Sequence, residues 1–380
     1  MLVKPNVAPA RATVFEQVRV FDGTPPWDSK APNTDAQSAA LVYSGVTTIL
    51  AAARDADIPE LRRRIASGDL PGPRIIGSSR IFTAPGGHPV PMFRALVPWP
   101  VSSLVLRSRV TEAATEDEAR RAVDRELEDG PAFIKIVYDD IPPGSAHLSK
   151  PVLQATIAQA HARGIRASVH AGSPEEALEA LDAGADVLMH VPGDAPLTEA
   201  QARRLAASGV PIVTTSRIYG VLGAASAGTL EFSPLEREVM PPGAAEAFAH
   251  RPPGYELPGF PPDYVRSFAE RDGYLRGNLK LLADAGARLV AGTDSGLPAV
   301  FHGAALHREM QTLVALGLPP AQVLRMATSD AARAIDPAAD YGAIAPGMRA
   351  DLLLIDGDPL ADISATERIA GVWQDGRRMR

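Results

Sequence analysis

The chain has 380 residues, 46% hydrophobic and 22% charged, which is enough for one large α/β unit plus a small appended domain and rules out disorder of the whole. Its formal net charge is −7 and its arginines are spread among helices, so there is no broad positive field and nucleic acid is excluded as a partner. There is no cysteine, which excludes disulfides, thiolate metal sites and a cysteine nucleophile; any metal must be held by nitrogen and oxygen.

The opening MLVKPNVAPARATVFEQ lacks an apolar core of signal-peptide length, and no later run approaches the roughly 20 apolar residues of a membrane span. A soluble, cytoplasmic protein with no membrane partner is expected. Within the first 23 residues, ATVFEQVRVFDG reads as a strand of a small β domain, or as a recruited first barrel strand that would bring Asp22 to the mouth of the barrel.

From residue 24 to 340 a unit repeats. Five times an amphipathic segment ends in a small residue and glycine before an apolar run, at Gly45, Gly164, Gly184, Gly209 and Gly286. Each glycine reads as a helix C-cap, where the left-handed conformation is cheap for glycine. Start signals alternate with these stops: Ser173 to Glu176 reads as a capping box with proline at the first helical position, and Thr198 with Gln201 as a second.

The runs after the glycines are apolar without strict alternation, as suits parallel strands covered by helices. Two more strands of this kind lie around Arg74 to Ile81 and Ala132 to Tyr138, making seven of an expected eight. The expected fold is a TIM-type (β/α)8 barrel with an altered or missing first strand, since no G-x-G-x-x-G opens a helix as a dinucleotide fold would require. Residues 217–275, dense in Pro, Gly and Tyr, read as a long lid-like insertion. The tail 341–380 reads as short strands that join the N-terminal one in the small β domain.

His170 and His190 each lie six residues beyond their repeat glycine, Thr215 takes the same place in the next unit, and Asp294 lies eight beyond Gly286. In a parallel barrel these positions converge at the C-terminal ends of the strands, where active sites are built. Two imidazoles and a carboxylate suit zinc or a similar divalent ion. Lys135 stands inside the apolar strand AFIKIVY, where an ammonium is expensive to bury; it reads as a metal-associated lysine, carbamylated by CO2, or as a strand-edge lysine reaching solvent. His88 in APGGHPV, on a loop after a strand, is a candidate substrate contact. Tyr138 and Tyr219 follow barrel strands and could line the pocket or simply pack. His302 and His307 flank a helix, and His147, His161 and His250 read as surface residues.

The runs SGVTTI, GPRIIGSSRIF, GGHP, FIKI, HAGSPEEALEALDAGADVLMH, GTDSG and GAIAPGMRADLLLIDGDPL resemble the metal-dependent amidohydrolase superfamily, in the branch of imidazolonepropionases and Xaa-Pro dipeptidases. The resemblance implies a carbamylated bridging lysine at Lys135, metal ligands at His170 and His190, and a ligand and proton shuttle at Asp294. It breaks at one point: the family's first barrel strand ends in a His-x-His pair, and no histidine precedes His88 here. A binuclear centre is therefore not expected.

The leading functional expectation is a hydrolase that cleaves an amide or cyclic-amide C–N bond of a small molecule with one zinc-like ion. In it, His170, His190 and Lys135 hold the ion, and Asp294 and Lys135 do the acid/base work. The alternatives are a metal-independent cyclase, lyase or isomerase that uses the same groups as acids and bases, or a non-catalytic relative. The sequence leaves the substrate and a homo-oligomeric state open.

Overall fold

The computed structural model describes residues 31–52, 54, 58–250, 256–257 and 259–380. The N-terminal strand and Asp22, on which the choice between β domain and recruited barrel strand turned, lie outside the described residues.

The seven expected strands form one curled parallel sheet: β1 (Thr48–Ala51), β2 (Arg74–Thr83), β4 (Phe133–Val137), β5 (Arg166–His170), β6 (Val187–Leu188), β7 (Ile212–Val213) and β8 (Leu289–Val290), neighbouring in that order. An eighth, β3 (Val110–Glu112), was not foreseen. It pairs with Ile81 to Thr83 of β2, after the β1 pairing at residues 74–77 has ended. The other edge of β2 belongs to β4, so β3 prolongs the β1 side of the sheet.

The repeat glycines do what the sequence requires of them. All five have φ between +67° and +94°, and the helices they close lead straight into the next strand. Their amides return to the helix end in paired bonds, for example Gly164 N–H to His161 O at 2.9 Å and Ile165 N–H to Ala160 O at 2.9 Å. Both expected capping boxes, Ser173 with Glu176 and Thr198 with Gln201, are formed. The described part of residues 217–275 is largely helical, with Ile218–Ala227, Pro234–Val239, Ala244–Ala249, Pro262–Arg266 and the start of Phe268–Asp284.

Strand parity sorts the side chains. Ile134, Ile136 and Tyr138 of β4 face outward into the main core with Val123, Leu153 and Ile157 of the surrounding helices. Phe133 faces inward and packs with Val187 and Met189. Lys135 and Asp139 share its parity, and hence point to the barrel interior.

The sheet path ends at β1 and β8, and among the described residues no pairing joins them. The helix layer nevertheless closes over this gap. Gly303, just before the helix Ala304–Ala315, abuts the helix Ala31–Tyr43, and His307 donates from Nε2 to Ser44 O at 2.8 Å. A Cβ at Gly303 would sit 2.6 Å from Ala40 O, and its φ is +82°. Gly303→Ala is therefore expected to lower stability by clearly more than the ~1 kcal/mol that conformation alone costs. Gly164→Ala, at φ +73° with open space around it, should lose only that smaller amount; urea midpoints of the two variants measure the difference.

The tail, read as short strands with turns, forms a three-stranded antiparallel sheet of β9 (Leu352–Ile355), β10 (Ile369–Gln374) and β11 (Arg377–Arg378), one strand more than the two offered by its apolar runs. Arg74 at the start of β2 ties this sheet down through Asp351 and Asp375, both at 3.1 Å. No helix of the described residues is long and apolar enough to cross a membrane.

Candidate active site

The site grows from β4. At Ser78–Ile81 the β2–β4 register shifts, and the hydroxyl of Ser79 accepts the backbone N–H of Lys135 at 3.0 Å in place of a regular ladder bond. Lys135 is thereby fixed with its side chain inward and 5% exposed. Two residues further, Val137 lies level with His170 of β5, and Asp139 follows on the same face.

Asp139, buried to 1% exposure, is the hinge of the cluster. It accepts from His88 Nδ1 at 2.8 Å and from His170 Nε2 at 2.5 Å. Burial alone would raise its pKa; the two imidazoles override this and hold the carboxyl well below the usual carboxylate range. Burial lowers the pKa of His170, against the pull of Asp139, and drives that of His190 well below the ordinary histidine value. His190 stands beside His170, ring centroids 4.2 Å apart, with its Nδ1 at 2.9 Å from Thr215 Oγ1. The equal offsets from the repeat glycines thus become contact in space.

Burial also lowers the pKa of Lys135, to about 8, although the charges of Asp294 and Asp139 oppose the shift. The ammonium form is then disfavoured in the folded protein. Its cost is full below pH 8 and fades as pH rises towards the unfolded value near 10.5. Lys135→Met is accordingly expected to stabilise the protein by about 2–3 kcal/mol at pH 7 and to lose that advantage above pH ~10.5, as read from urea melts across that range.

Asp294, at φ +53° beyond β8, is exposed at the rim. It is near enough for its charge to act on Lys135. Among the described residues the one grouping of three metal-type donors within 4.8 Å of one another is His88, Asp139 and His170. Of the ligand set expected from the sequence it contains His170; His190 and Lys135 stand beside it. Two imidazole nitrogens and a carboxylate fit a zinc-like ion chemically. His88, expected as a substrate contact, is here a member of the donor group.

Tyr138 goes elsewhere. Its parity turns it outward, where it packs on His147 and donates to Glu179 at 2.5 Å. Tyr219 is buried, its hydroxyl donating to Asp194 at 3.0 Å and its ring packed on Phe268. Arg271 joins this wall through an ion pair with Asp194. Asp139 was missed by the sequence reading. The available signal was its period-two spacing from Lys135 at the end of a wholly buried strand.

An inward-facing cluster of imidazoles, carboxylate and lysine at the C-terminal ends of the parallel strands stands where α/β barrels carry their active sites. The model of the amidohydrolase family matches residues 31–379, and the chain belongs to that family, whose members typically bind divalent metals. Solved structures agree in fold. An amidohydrolase is 25% identical with TM-score 0.70, covering 91% of this chain and 78% of its own. A Xaa-Pro dipeptidase with methionine bound in its active site is 22% identical with TM-score 0.70, covering 90% and 77%. The ochratoxinase of A. niger is 18% identical with TM-score 0.70, covering 92% and 75%. No curated protein matches the sequence.

Proposed function

We propose that this protein hydrolyses an amide or cyclic-amide C–N bond of a small molecule, with a single divalent ion held by His88, Asp139 and His170. The observation that carries this is the convergence of those three donors within 4.8 Å at the strand ends of an amidohydrolase barrel. Such an ion would supply Lewis-acid polarisation and activation of water.

The protein's own groups do the rest. Asp294, at the exposed rim, takes up the proton of the attacking water and returns it to the leaving amine. His190, kept neutral at pH 7 by burial, presents its unprotonated ring nitrogen as a hydrogen-bond acceptor to the substrate beside the reacting carbonyl. Lys135, with a pKa near 8, holds a sizeable share of neutral amine at neutral to mildly alkaline pH, the form that adds CO2. Carbamylation would convert the buried cation beside the donor group into a carboxylate.

A second reading rests on a specific feature. Asp139 hydrogen-bonded to two imidazoles is also a ready proton relay for metal-independent acid/base chemistry. The two are separated by assaying zinc-reconstituted protein against Xaa-Pro dipeptides, N-acyl amino acids and cyclic amides, with and without a chelator. Hydrolysis that disappears on chelation and returns with zinc is the expected result; turnover indifferent to chelation would replace the metal-dependent reading with the relay.

A further inference from the structure

The helix Ala304–Ala315 carries a carboxylate that the chemistry above does not use. Glu309 is 1% exposed, and its Oε1 accepts both the hydroxyl of Thr214 and, at 2.8 Å, the backbone N–H of Ser216. These two groups flank Thr215, which is itself buried. A carboxylate on the helix behind β8 thus grips the end of β7 on either side of one residue.

That residue is under strain. Thr215 has φ +40°, in the left-handed region that a β-branched side chain avoids. Such a conformation persists only where its surroundings over-determine it. Its result is the placement of Thr215 Oγ1 at 2.9 Å from His190 Nδ1. An apolar side chain could staple the helix to β7 without burying a charge. Burial raises the pKa of Glu309, and the hydrogen bonds from Thr214 and Ser216 work against that rise. The carboxylate is suited to holding these donors at a fixed place.

We propose that Glu309 is a positioning residue for His190. By holding Thr214 and Ser216 it fixes Thr215, whose hydroxyl accepts the Nδ1–H of His190 and leaves Nε2 as the unprotonated nitrogen. The importance of this for chemistry rests on the placement of His190 in the active site proposed above; the positioning itself does not. A ring held in one tautomer offers its free nitrogen to substrate or ion without first paying for a proton shift.

The test is the tautomer of His190 in the full-length protein, read from long-range 1H–15N spectra of [15N]histidine-labelled chains, with His190→Gln identifying the signals. The wild type is expected to show a single Nδ1–H form. Glu309→Leu and Thr215→Val should convert it to a mixture, while Thr215→Ser and Glu309→Gln, whose amide oxygen can accept the same two bonds, should keep the single form. Should Glu309→Leu fail to fold, the near-isosteric Thr214→Val removes one of the two ties and should show a partial mixture.

A wild-type Nε2–H form, or an unchanged tautomer in folded Glu309→Leu or Thr214→Val, overturns the proposal. In particular, a lower unfolding midpoint with the tautomer unchanged would make Glu309 a structural staple only. If the spectra behave as expected while the wild type takes up no zinc, the metal reading falls and the positioning of His190 stands.

Discussion

Replacing His170 by alanine is expected to abolish tight zinc binding, with an affinity loss well beyond the ~10–100-fold that follows from removing a partner outside the ligand set. His170 belongs both to the donor group seen in the structure and to the set implied by the sequence, so its removal leaves either with too few donors. The variant also deprives the buried Asp139 of its shortest hydrogen bond, which should cost about 1–3 kcal/mol of stability. Titration calorimetry with zinc reads the first effect and urea melts the second. His147→Ala is the control, because His147 pairs with Glu176 and packs on Tyr138 and is not one of the three donors. Its zinc binding should not change.

Asp139→Asn is expected to have the second large effect. The carboxylate is nearly inaccessible and takes hydrogen bonds from His88 and His170, and its depressed pKa means that the fold stabilises the charged form. That stabilisation is fully present above the unfolded carboxylate value near 4 and is lost progressively as pH falls towards the lower folded value. The asparagine variant should therefore be about 2–3 kcal/mol less stable than wild type at pH 7, with the difference shrinking below pH ~4. Equal stability at pH 7 would show that the desolvation of Asp139 cancels its hydrogen bonds.

The alternation of helix and strand was legible because its physics is local. A C-cap glycine needs positive φ whatever surrounds it, and a parallel strand covered on both faces must be an apolar run, so Gly164, Gly184 and Gly286 mark real helix ends before real strands. Strand β3 was not legible, since three residues pairing along one upper edge of β2 leave no periodicity to read. In the site, His170 and His190 could be placed by their equal offsets, and their rings do meet.

Asp139 and Glu309 are different. Asp139 sits in the acidic pair Asp139–Asp140, and only the parity of the strand distinguishes the buried carboxylate from its more exposed neighbour. Glu309 lies in an ordinary amphipathic helix, and its bonds to the end of β7 join residues about 95 positions apart, so no sequence window contains the interaction. The outward turn of Tyr138 follows from the same parity rule applied from Lys135.

The most direct test of the central claim is the metal content of purified wild-type protein after incubation with zinc and removal of free ion, measured by elemental analysis beside His88→Ala, His170→Ala and His190→Ala. The account predicts about one ion per wild-type chain, lost in His88→Ala and His170→Ala and retained in His190→Ala. A folded wild type that holds no ion would contradict it, and loss in His190→Ala with retention in His88→Ala would move the ion to the ligand set implied by the sequence.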